Sequence, residues 1–326
     1  MRINFGKKVI TFCKKAKTVA IMGHKSADFD SICSCIAMQM ILKKHNIESD
    51  IIIEKPLEKN FEPITRGITL LTESKIKYDV MIIVDSSEMI SSIFAPHMLD
   101  ILKSANTTFK IDHHFSGMNS NFATFNFVDP NSSSACEVIY YMFNGLIKMD
   151  TDLAKTLYLG IYTDTGGFRF SNAKSKTFSA LASLTKFDFA PDRLVHDCVS
   201  LVTESAFLIT QVAFESIKFF QNKQIVVSTV RYEDFERLKC GIESSKFMPS
   251  YLQDIDGVKI GISITEKTKN EYNISLRTAC DDIDVSKVAM RFNGGGHIRA
   301  SGLTLKGDYN KALNALLLEC KKEIKK

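Results

Sequence analysis

The chain has 326 residues, of which 45% are hydrophobic and 24% are charged, with a formal net charge of +5. This composition excludes a disordered or fibrous protein, and the length allows two domains with sizeable cores. The mild positive charge is compatible with a small anionic ligand, whereas proteins that bind long nucleic acids usually carry strongly basic surfaces.

Cysteine usage and hydropathy narrow the protein class further. None of the eight cysteines forms a Cys-x-x-Cys pair, which excludes zinc-ribbon and thioredoxin-like motifs. Cys33 and Cys35 lie in an apolar helical stretch and are predicted to be buried free thiols. A chain of this size needs no disulfides, so we expect a cytoplasmic location. No apolar run approaches the ~18 residues of a membrane span.

The basic segment 1–18 is predicted to be a first helix that packs on the sheet. Charges interrupt its apolar residues too often for a signal peptide. Contact of this helix with a membrane or a nucleic acid is the alternative.

An imidazole and two carboxylates follow the first predicted strand. Residues 19–22 are typical of a buried parallel strand, and a helical apolar pattern follows over 32–42. His24, Asp28 and Asp30 lie between them, where ligands bind in open α/β sheets. Their donors suit a divalent ion such as Mn²⁺. The alternative is a helix capped by Asp28 or Asp30, with His24 incidental.

Two further predicted strands end in acidic or histidine residues. The clearest buried strand ends in Asp85, and a strand over 107–112 leads into Asp112, His113 and His114. Adjacent residues of an extended segment point to opposite sides. One imidazole is therefore expected to bind a metal while the other faces a substrate, with Asp112 orienting one of them. Paired surface histidines are the alternative.

A second strand is predicted at 49–53 and a helix at 153–162. The helix leads into Asp164, beside Gly166 and Gly167. This pattern suggests a carboxylate held where the backbone bends sharply.

The sequence character changes after residue 185. A helical connector is predicted over 186–216. The elements predicted after it are strands at 225–230, 258–265 and 272–278, a helix at 232–238 and a closing helix at 309–326.

A glycine triplet, Gly294, Gly295 and Gly296, precedes His297 near the C-terminus. Glycines let the backbone approach a phosphate and present N–H donors to it. Arg277 adds positive charge. A flexible loop is the alternative.

Taken together, these clusters resemble the four motifs of the DHH phosphoesterase superfamily, in the same order and spacing. The matching segments are 23–31, 84–86, 112–114 and 163–166. The glycine triplet with His297 resembles the signature of the DHH-associated C-terminal domain. The resemblance is specific because four independent acid and histidine clusters must coincide.

The resemblance implies an α/β fold with two domains. They are a parallel-sheet catalytic domain over 1–185 and, after the connector 186–216, a smaller substrate-binding α/β domain with a mixed sheet over 217–326. The active site is expected in the cleft between them. The implied cofactor is a pair of divalent cations, usually Mn²⁺, with Mg²⁺ and Co²⁺ as alternatives.

The resemblance also assigns residues to roles. The implied metal ligands are His24, Asp28, Asp30, Asp85, His113 and Asp164. Asp85 is expected to bridge both ions and His114 to face the scissile phosphate. The expected substrate contacts, besides His114, are Arg277, Gly294, Gly295, Gly296 and His297.

The whole chain resembles nanoRNase/pAp phosphatases. These enzymes hydrolyse very short oligoribonucleotides, so the resemblance implies substrates of about two to five nucleotides, and the mild charge agrees with a short ligand. They also dephosphorylate 3′-phosphoadenosine 5′-phosphate (pAp). The alternatives are a linear or cyclic dinucleotide phosphodiesterase and a nucleotide- or RNA-binding protein with a vestigial metal centre. Clustered, mutually repelling carboxylates argue against the last. No membrane and no long duplex nucleic acid is expected as a partner, and a homodimer is left open.

Overall fold

The protein folds into two compact units. The structure is a computed structural model that describes residues 2–25, 27–86, 94–114, 122–242 and 251–324. The first unit extends to Leu201 and the second begins at Val202. This division falls inside the segment that the sequence predicts as a connector.

The first unit contains a six-stranded parallel sheet. Its strands are β1 (Val19–Met22), β2 (Asp50–Ile52), β3 (Leu70–Leu71), β4 (Val80–Val84), β5 (Thr107–Asp112) and β6 (Phe125–Val128). They lie in the order β3-β2-β1-β4-β5-β6. The chain runs outward from β1 to β3 and then returns to place β4 on the other side of β1. Ligands bind at the carboxyl ends of the strands at such a switch point.

Helices cover both faces of this sheet. They are α1 (Arg2–Lys15), α2 (Phe29–Lys43), α3 (Glu62–Thr65), α4 (Pro96–Ser104), α5 (Ala135–Phe143), α6 (Thr151–Asp164), α7 (Ser175–Leu184) and α8 (Pro191–Val195). A 3₁₀ turn at Lys59–Phe61 precedes α3, and a π-helical turn at His196–Ser200 follows α8.

Alternating side chains of the strands divide the core into two layers. Ile21, Ile82 and Ile111 belong to the larger layer, which includes residues of α1, α2, α5 and α6. Met22 and Ile83 belong to the smaller layer, which includes residues of α4. Every position of β1 and β4 is buried, which confirms the strands predicted from their uninterrupted apolar runs.

The second unit contains a six-stranded mixed sheet. Its strands are β7 (Lys218–Phe220), β8 (Ile225–Val230), β9 (Ile260–Thr268), β10 (Glu271–Arg277), β11 (Gly295–His297) and β12 (Ala300–Lys306). They lie in the order β11-β12-β10-β9-β8-β7, with β8 and β9 parallel and the other pairs antiparallel. The helices are α9 (Glu204–Glu215), α10 (Tyr232–Leu238), α11 (Val285–Met290) and α12 (Tyr309–Ile324). The predicted α/β class, with one parallel and one mixed sheet, is confirmed.

None of the eight cysteines forms a disulfide, and Cys33 and Cys35 are buried, as predicted. Among the described residues, no single helix has the length and apolar character needed to cross a membrane. One bent pair of helical segments, Pro191–Ser200 with Glu204–Glu215, reaches that length and composition when both are counted together.

Candidate metal centre

Three polar side chains follow β1. Gly23 lets α2 approach the end of the strand, because a Cβ at this residue would lie 2.1 Å from Ser31 Oγ. Asp28 caps α2 by accepting a hydrogen bond from Ser31 N–H at 3.0 Å, so the capping alternative is realised at this residue. The same carboxylate lies 3.8 Å from His24 Nε2. Capping does not prevent metal binding, because a carboxylate can accept several contacts.

Asp30 is held by the N-terminus of α5. Its buried carboxylate accepts hydrogen bonds from Ala135 N–H at 2.7 Å and Cys136 N–H at 3.0 Å. The first N–H groups of a helix lack intrahelical partners and favour a negative charge. Gly160 of α6 leaves room for this contact, because a Cβ there would lie 2.3 Å from Cys136 Sγ and 3.0 Å from Asp30 Oδ1.

Asp85 lies directly after β4 and at the centre of the cluster. It is 2% exposed, and its backbone φ is 50°, a conformation that a residue with a Cβ rarely adopts. Its Oδ2 lies 3.4 Å from His24 Nε2, and its Oδ1 lies 3.4 Å from His113 Nε2. Backbone strain of this kind concentrates at functional sites.

Asp112 organises the two histidines that follow β5. Its Oδ1 accepts hydrogen bonds from the backbone N–H groups of His113 and His114 and lies 2.8 Å from His114 Nδ1. The two rings do not point to opposite sides as the sequence suggested: their centroids are 4.3 Å apart, and His114 Nδ1 lies 3.7 Å from Asp85 Oδ1. The alternation fails because β5 ends at Asp112, and the side chains beyond it no longer follow a strand.

Asp164 is the last residue of α6. Its Oδ2 lies 3.6 Å from His113 Nε2. The helix is followed at once by Gly166 and Gly167, with φ of 58° and 65°, which confirms the predicted sharp bend. Asn172 donates a hydrogen bond to the Asp164 carbonyl oxygen at 3.0 Å and so ties the following loop to the helix end.

The side chains form three overlapping groups that could hold metal ions. They are His24–Asp28–Asp85, Asp85–His113–His114 and Asp30–His113–Asp164. Within each group the potential ligand atoms all lie within 4.8 Å of one another. Asp85 and His113 each belong to two groups. The structure thus brings together all six residues that the sequence resemblance implies as ligands.

Burial and neighbouring charges shift the pKa values of these groups. Burial, reinforced by Asp85 and opposed by His113, raises the pKa of Asp164 to about 7. Burial also raises the pKa of Asp30 well above its ordinary value. Burial alone would raise the pKa of Asp85 too, but contact with His113 and His24 holds it well below its usual range. Although burial opposes it, Asp85 raises the pKa of His24 to about 9 and that of His113 to about 10.

The residues fit a divalent cation. Asp85 Oδ1 is buried and makes no hydrogen bond of normal geometry to any residue that the structure describes. A buried acceptor without a donor is unfavourable, and a cation would satisfy it. Carboxylate oxygens and imidazole nitrogens are donors that suit Mn²⁺ and similar ions.

Two family models match the chain. The model of the "DHH family, N-terminal domain" matches residues 18–161, and the model of the "DHHA1 domain" matches residues 222–326. The chain belongs to the DHH family. The resemblance seen in the sequence motifs is confirmed. Five of the six acidic and histidine residues lie within the matched DHH domain, and Asp164 follows its end by three residues.

Curated relatives support this membership, and a solved structure shares the fold. The chain is 30% identical over 217 residues to the bifunctional oligoribonuclease and PAP phosphatase NrnA of Mycoplasma pneumoniae. The aligned residues make up 66% of this chain but only 64% of that relative. It is 22% identical to the Thermus thermophilus protein of the same name, over 94% of this chain and 90% of that one. An exopolyphosphatase-related protein from Bacteroides fragilis shares the fold, with a TM-score of 0.88 at 19% identity over 98% of this chain and 96% of that one.

The predicted substrate contacts other than His114 lie in the DHHA1 domain. Arg277 ends β10, where burial lowers its pKa and its guanidinium donates to the Leu276 carbonyl oxygen at 3.0 Å. Gly295, Gly296 and His297 form β11, which pairs with β12. The glycine motif is therefore largely a strand and not a flexible loop. The side chain of His297 lies outside what the structure describes.

The three glycines have different surroundings. A Cβ on Gly294 would lie 2.3 Å from the Gly302 carbonyl oxygen, and a Cβ on Gly296 would lie 2.5 Å from that of Ala300. Gly296 also has a φ of 139°, which favours glycine. A Cβ on Gly295 would meet no described atom within 4 Å. Two of the glycines are therefore required by packing, whereas the third borders open space.

Sequence reasoning missed two parts of the DHH site. One is the N-terminus of α5, although Ser134 followed three residues later by Glu137 is a capping-box signal. Ser134 does cap the helix, accepting from Glu137 N–H at 3.0 Å. The other is Lys110, whose only signal is a lysine between the apolar Phe109 and Ile111 of a predicted strand.

Proposed function

We propose that the chain is a metal-dependent phosphoesterase that degrades very short oligoribonucleotides to mononucleotides and removes the 3′-phosphate from pAp. The observation that carries the proposal is the convergence of six acidic and histidine side chains in three overlapping groups, one of them bearing the buried acceptor Asp85 Oδ1. The names of the two NrnA relatives support the choice of substrates.

We assign the ligands of two divalent cations to His24, Asp28, Asp30, Asp85, His113 and Asp164. Asp85 is the bridging candidate because it belongs to two of the three groups and, unlike His113, offers two carboxylate oxygens. The bound cations supply Lewis-acid activation for hydrolysis of the phosphoester. Mn²⁺ is the proposed ion, because the donors combine hard oxygens with imidazole; Mg²⁺ and Co²⁺ are to be compared with it.

The remaining residues act on the substrate directly. His114 Nδ1 lies 2.8 Å from Asp112 Oδ1, and we assign to the imidazole of His114 the contact with the phosphate undergoing attack. In the DHHA1 domain, we assign substrate contacts to Arg277, Gly294, Gly295, Gly296 and His297. Backbone N–H groups of glycines and a guanidinium are suitable donors for a phosphate.

We also infer the domain limits 1–185 and 217–326, with the connector at 186–216. The division after Leu201 and the family matches at 18–161 and 222–326 support these limits. A cytoplasmic location, supported by eight cysteines that form no disulfide, and a homodimer stay predictions.

The test is release of mononucleotides from a labelled RNA dinucleotide, and of phosphate from pAp, by chelator-treated protein supplied with Mn²⁺, Mg²⁺ or Co²⁺. Asp85→Asn is expected to lower turnover by more than about 100-fold, since loss of a ligand exceeds the loss of an outer contact. Asp152→Asn is the matched control, because Asp152 is an exposed carboxylate that lies 2.7 Å from Lys155. Equal turnover in both variants would refute the proposed centre. Binding without turnover by the native protein would favour a non-catalytic role, and cleavage of dinucleotides alone would favour a dinucleotide phosphodiesterase.

A further inference from the structure

Lys110 is a cation buried in the parallel sheet. It is 0% exposed and lies on β5, paired with Ile83 of β4 on one side and Asn126 of β6 on the other. A lysine is almost never fully buried unless its charge is paired. Residues two apart on a strand share a face, and Lys110 Nζ lies 3.2 Å from Oδ2 of the fully buried Asp112. The ring of Phe122, 5.2 Å from Nζ, lies on another side of the ammonium group.

Asp112 therefore has a polar contact at each end of its carboxylate, an ion pair without hydrogen-bond geometry at Oδ2 and hydrogen bonds at Oδ1. Oδ2 faces Lys110, while Oδ1 lies 2.8 Å from His114 Nδ1 and accepts the backbone N–H of His113. A carboxylate at Nδ1 fixes both the tautomer and the orientation of an imidazole. The orientation of His114 thus depends on the position of Asp112.

A second carboxylate competes for the same ring. Asp85 Oδ1 lies 3.7 Å from His114 Nδ1, against 2.8 Å for Asp112 Oδ1. If Asp112 lost its anchor, it could rotate away from His114, and the ring could turn toward Asp85. That movement would displace the proposed phosphate-contacting group and disturb the proposed bridging ligand at once.

We propose that Lys110 is a positioning residue, whose ammonium group fixes Asp112 so that Asp112 orients His114. Lys110 contacts Asp112 from inside the sheet, and Asp112 in turn contacts His114. The effect on turnover rests on the proposed function. The effect on the orientation of His114 does not, and the two are measured separately.

The first measurement is steady-state kinetics on a labelled RNA dinucleotide. Lys110→Met is expected to lower kcat by about tenfold or more, as for loss of other outer contacts, with KM little changed. Thr108→Val is the matched control: Thr108 lies two residues earlier on the same face of β5 and contacts Thr124 at 3.2 Å. It perturbs the same strand without touching Asp112, so its kcat should stay near the native value.

Lys110→Met in an Asp112→Asn background tests whether Lys110 affects kcat through Asp112. If Lys110 acts through Asp112, Lys110→Met adds little to the loss caused by Asp112→Asn. An equal fold-loss in both backgrounds would overturn the proposal. Lys110→Arg should retain more activity than Lys110→Gln, and this pair provides the test if Lys110→Met does not fold. Native activity in Lys110→Gln would contradict the role of the charge.

The second measurement is ¹⁵N NMR of the histidine side chains in chelator-treated protein, with His114 assigned from a His114→Asn variant. The native ring should be the Nδ1–H tautomer, whereas Lys110→Met should give a mixture of tautomers. An unchanged His114 signal would refute the positioning role. If the native protein hydrolyses no substrate, the proposed function fails, while the NMR comparison still decides the role of Lys110.

Discussion

The glycines at 294–296 offer a test in which three identical substitutions have different consequences. Gly294→Ala and Gly296→Ala place a Cβ against the β12 backbone, and each should lower the free energy of unfolding by about 1–3 kcal/mol. Gly295→Ala meets open space and should leave stability nearly unchanged. If the glycine motif contacts substrate, however, Gly295→Ala should raise KM for pAp. Thermal unfolding and steady-state kinetics measure the two effects, and an unchanged KM in Gly295→Ala would remove this glycine from the proposed substrate site.

Residue identities at the centre were predictable, whereas their contacts were not. His24, Asp85 and His113 follow predicted strands, and the carboxyl ends of parallel strands share one edge of a sheet. The shared orientation of the His113 and His114 rings was not predictable, because it depends on where β5 ends. Lys110 was missed because a strand pattern gives no information on whether a buried charge has a partner.

At the scale of elements, the N-terminus of α5 binds the carboxylate of the proposed ligand Asp30. Ser134→Ala removes the cap of α5 and should lower the free energy of unfolding by about 1 kcal/mol. It should also weaken Mn²⁺ binding, because Ala135 N–H and Cys136 N–H at that helix end hold Asp30. Thr203→Ala removes the equivalent cap of α9, where Thr203 accepts from Ala206 N–H at 3.1 Å.

Chemical denaturation and metal titration by calorimetry compare these two variants. Both should lose similar stability, and only Ser134→Ala should lose metal affinity. A loss of affinity in both, or in neither, would show that the end of α5 does not tune Asp30.

Helices and strands were predictable where their buried residues form a continuous hydrophobic pattern in the sequence. β4 is an apolar run that ends directly before Asp85, as predicted, and β8 was predicted at its observed bounds. β3 was missed because two half-buried residues carry no periodic signal. β7 and β11 were missed because each has three residues at the edge of a sheet, where exposure removes the pattern and pairing with a neighbour decides the structure.

For the whole molecule, metal binding and pH should be linked. In metal-free protein the pKa values of His24 and His113 are raised to about 9 and about 10 from an ordinary value of 6.5. The stability that each protonated histidine contributes is complete below pH 6.5 and is lost as the pH rises through the folded-state pKa. The free energy of unfolding of chelator-treated protein should therefore fall by about 2 kcal/mol for each histidine, or about 4 kcal/mol for the pair, between pH 6.5 and 8.5.

Added Mn²⁺ should oppose this trend, because ligands must lose their protons to bind a metal. Stabilisation by Mn²⁺ should thus be larger at pH 8.5 than at pH 6.5, as measured by urea unfolding at both values. A metal-induced gain that is equal at both pH values would contradict the assignment of these histidines as ligands.

The spacing of the proposed ligands along the chain has a consequence for biosynthesis. The first is His24 and the last is Asp164, so about half of the 326 residues must be translated before the set is complete. A nascent polypeptide that ends before α6 carries Asp28, Asp30 and Asp85 without the carboxylate that closes the third group. Because N-terminal domains fold first during synthesis, α6 must leave the ribosomal exit tunnel before the emerging domain has all six proposed metal ligands in place.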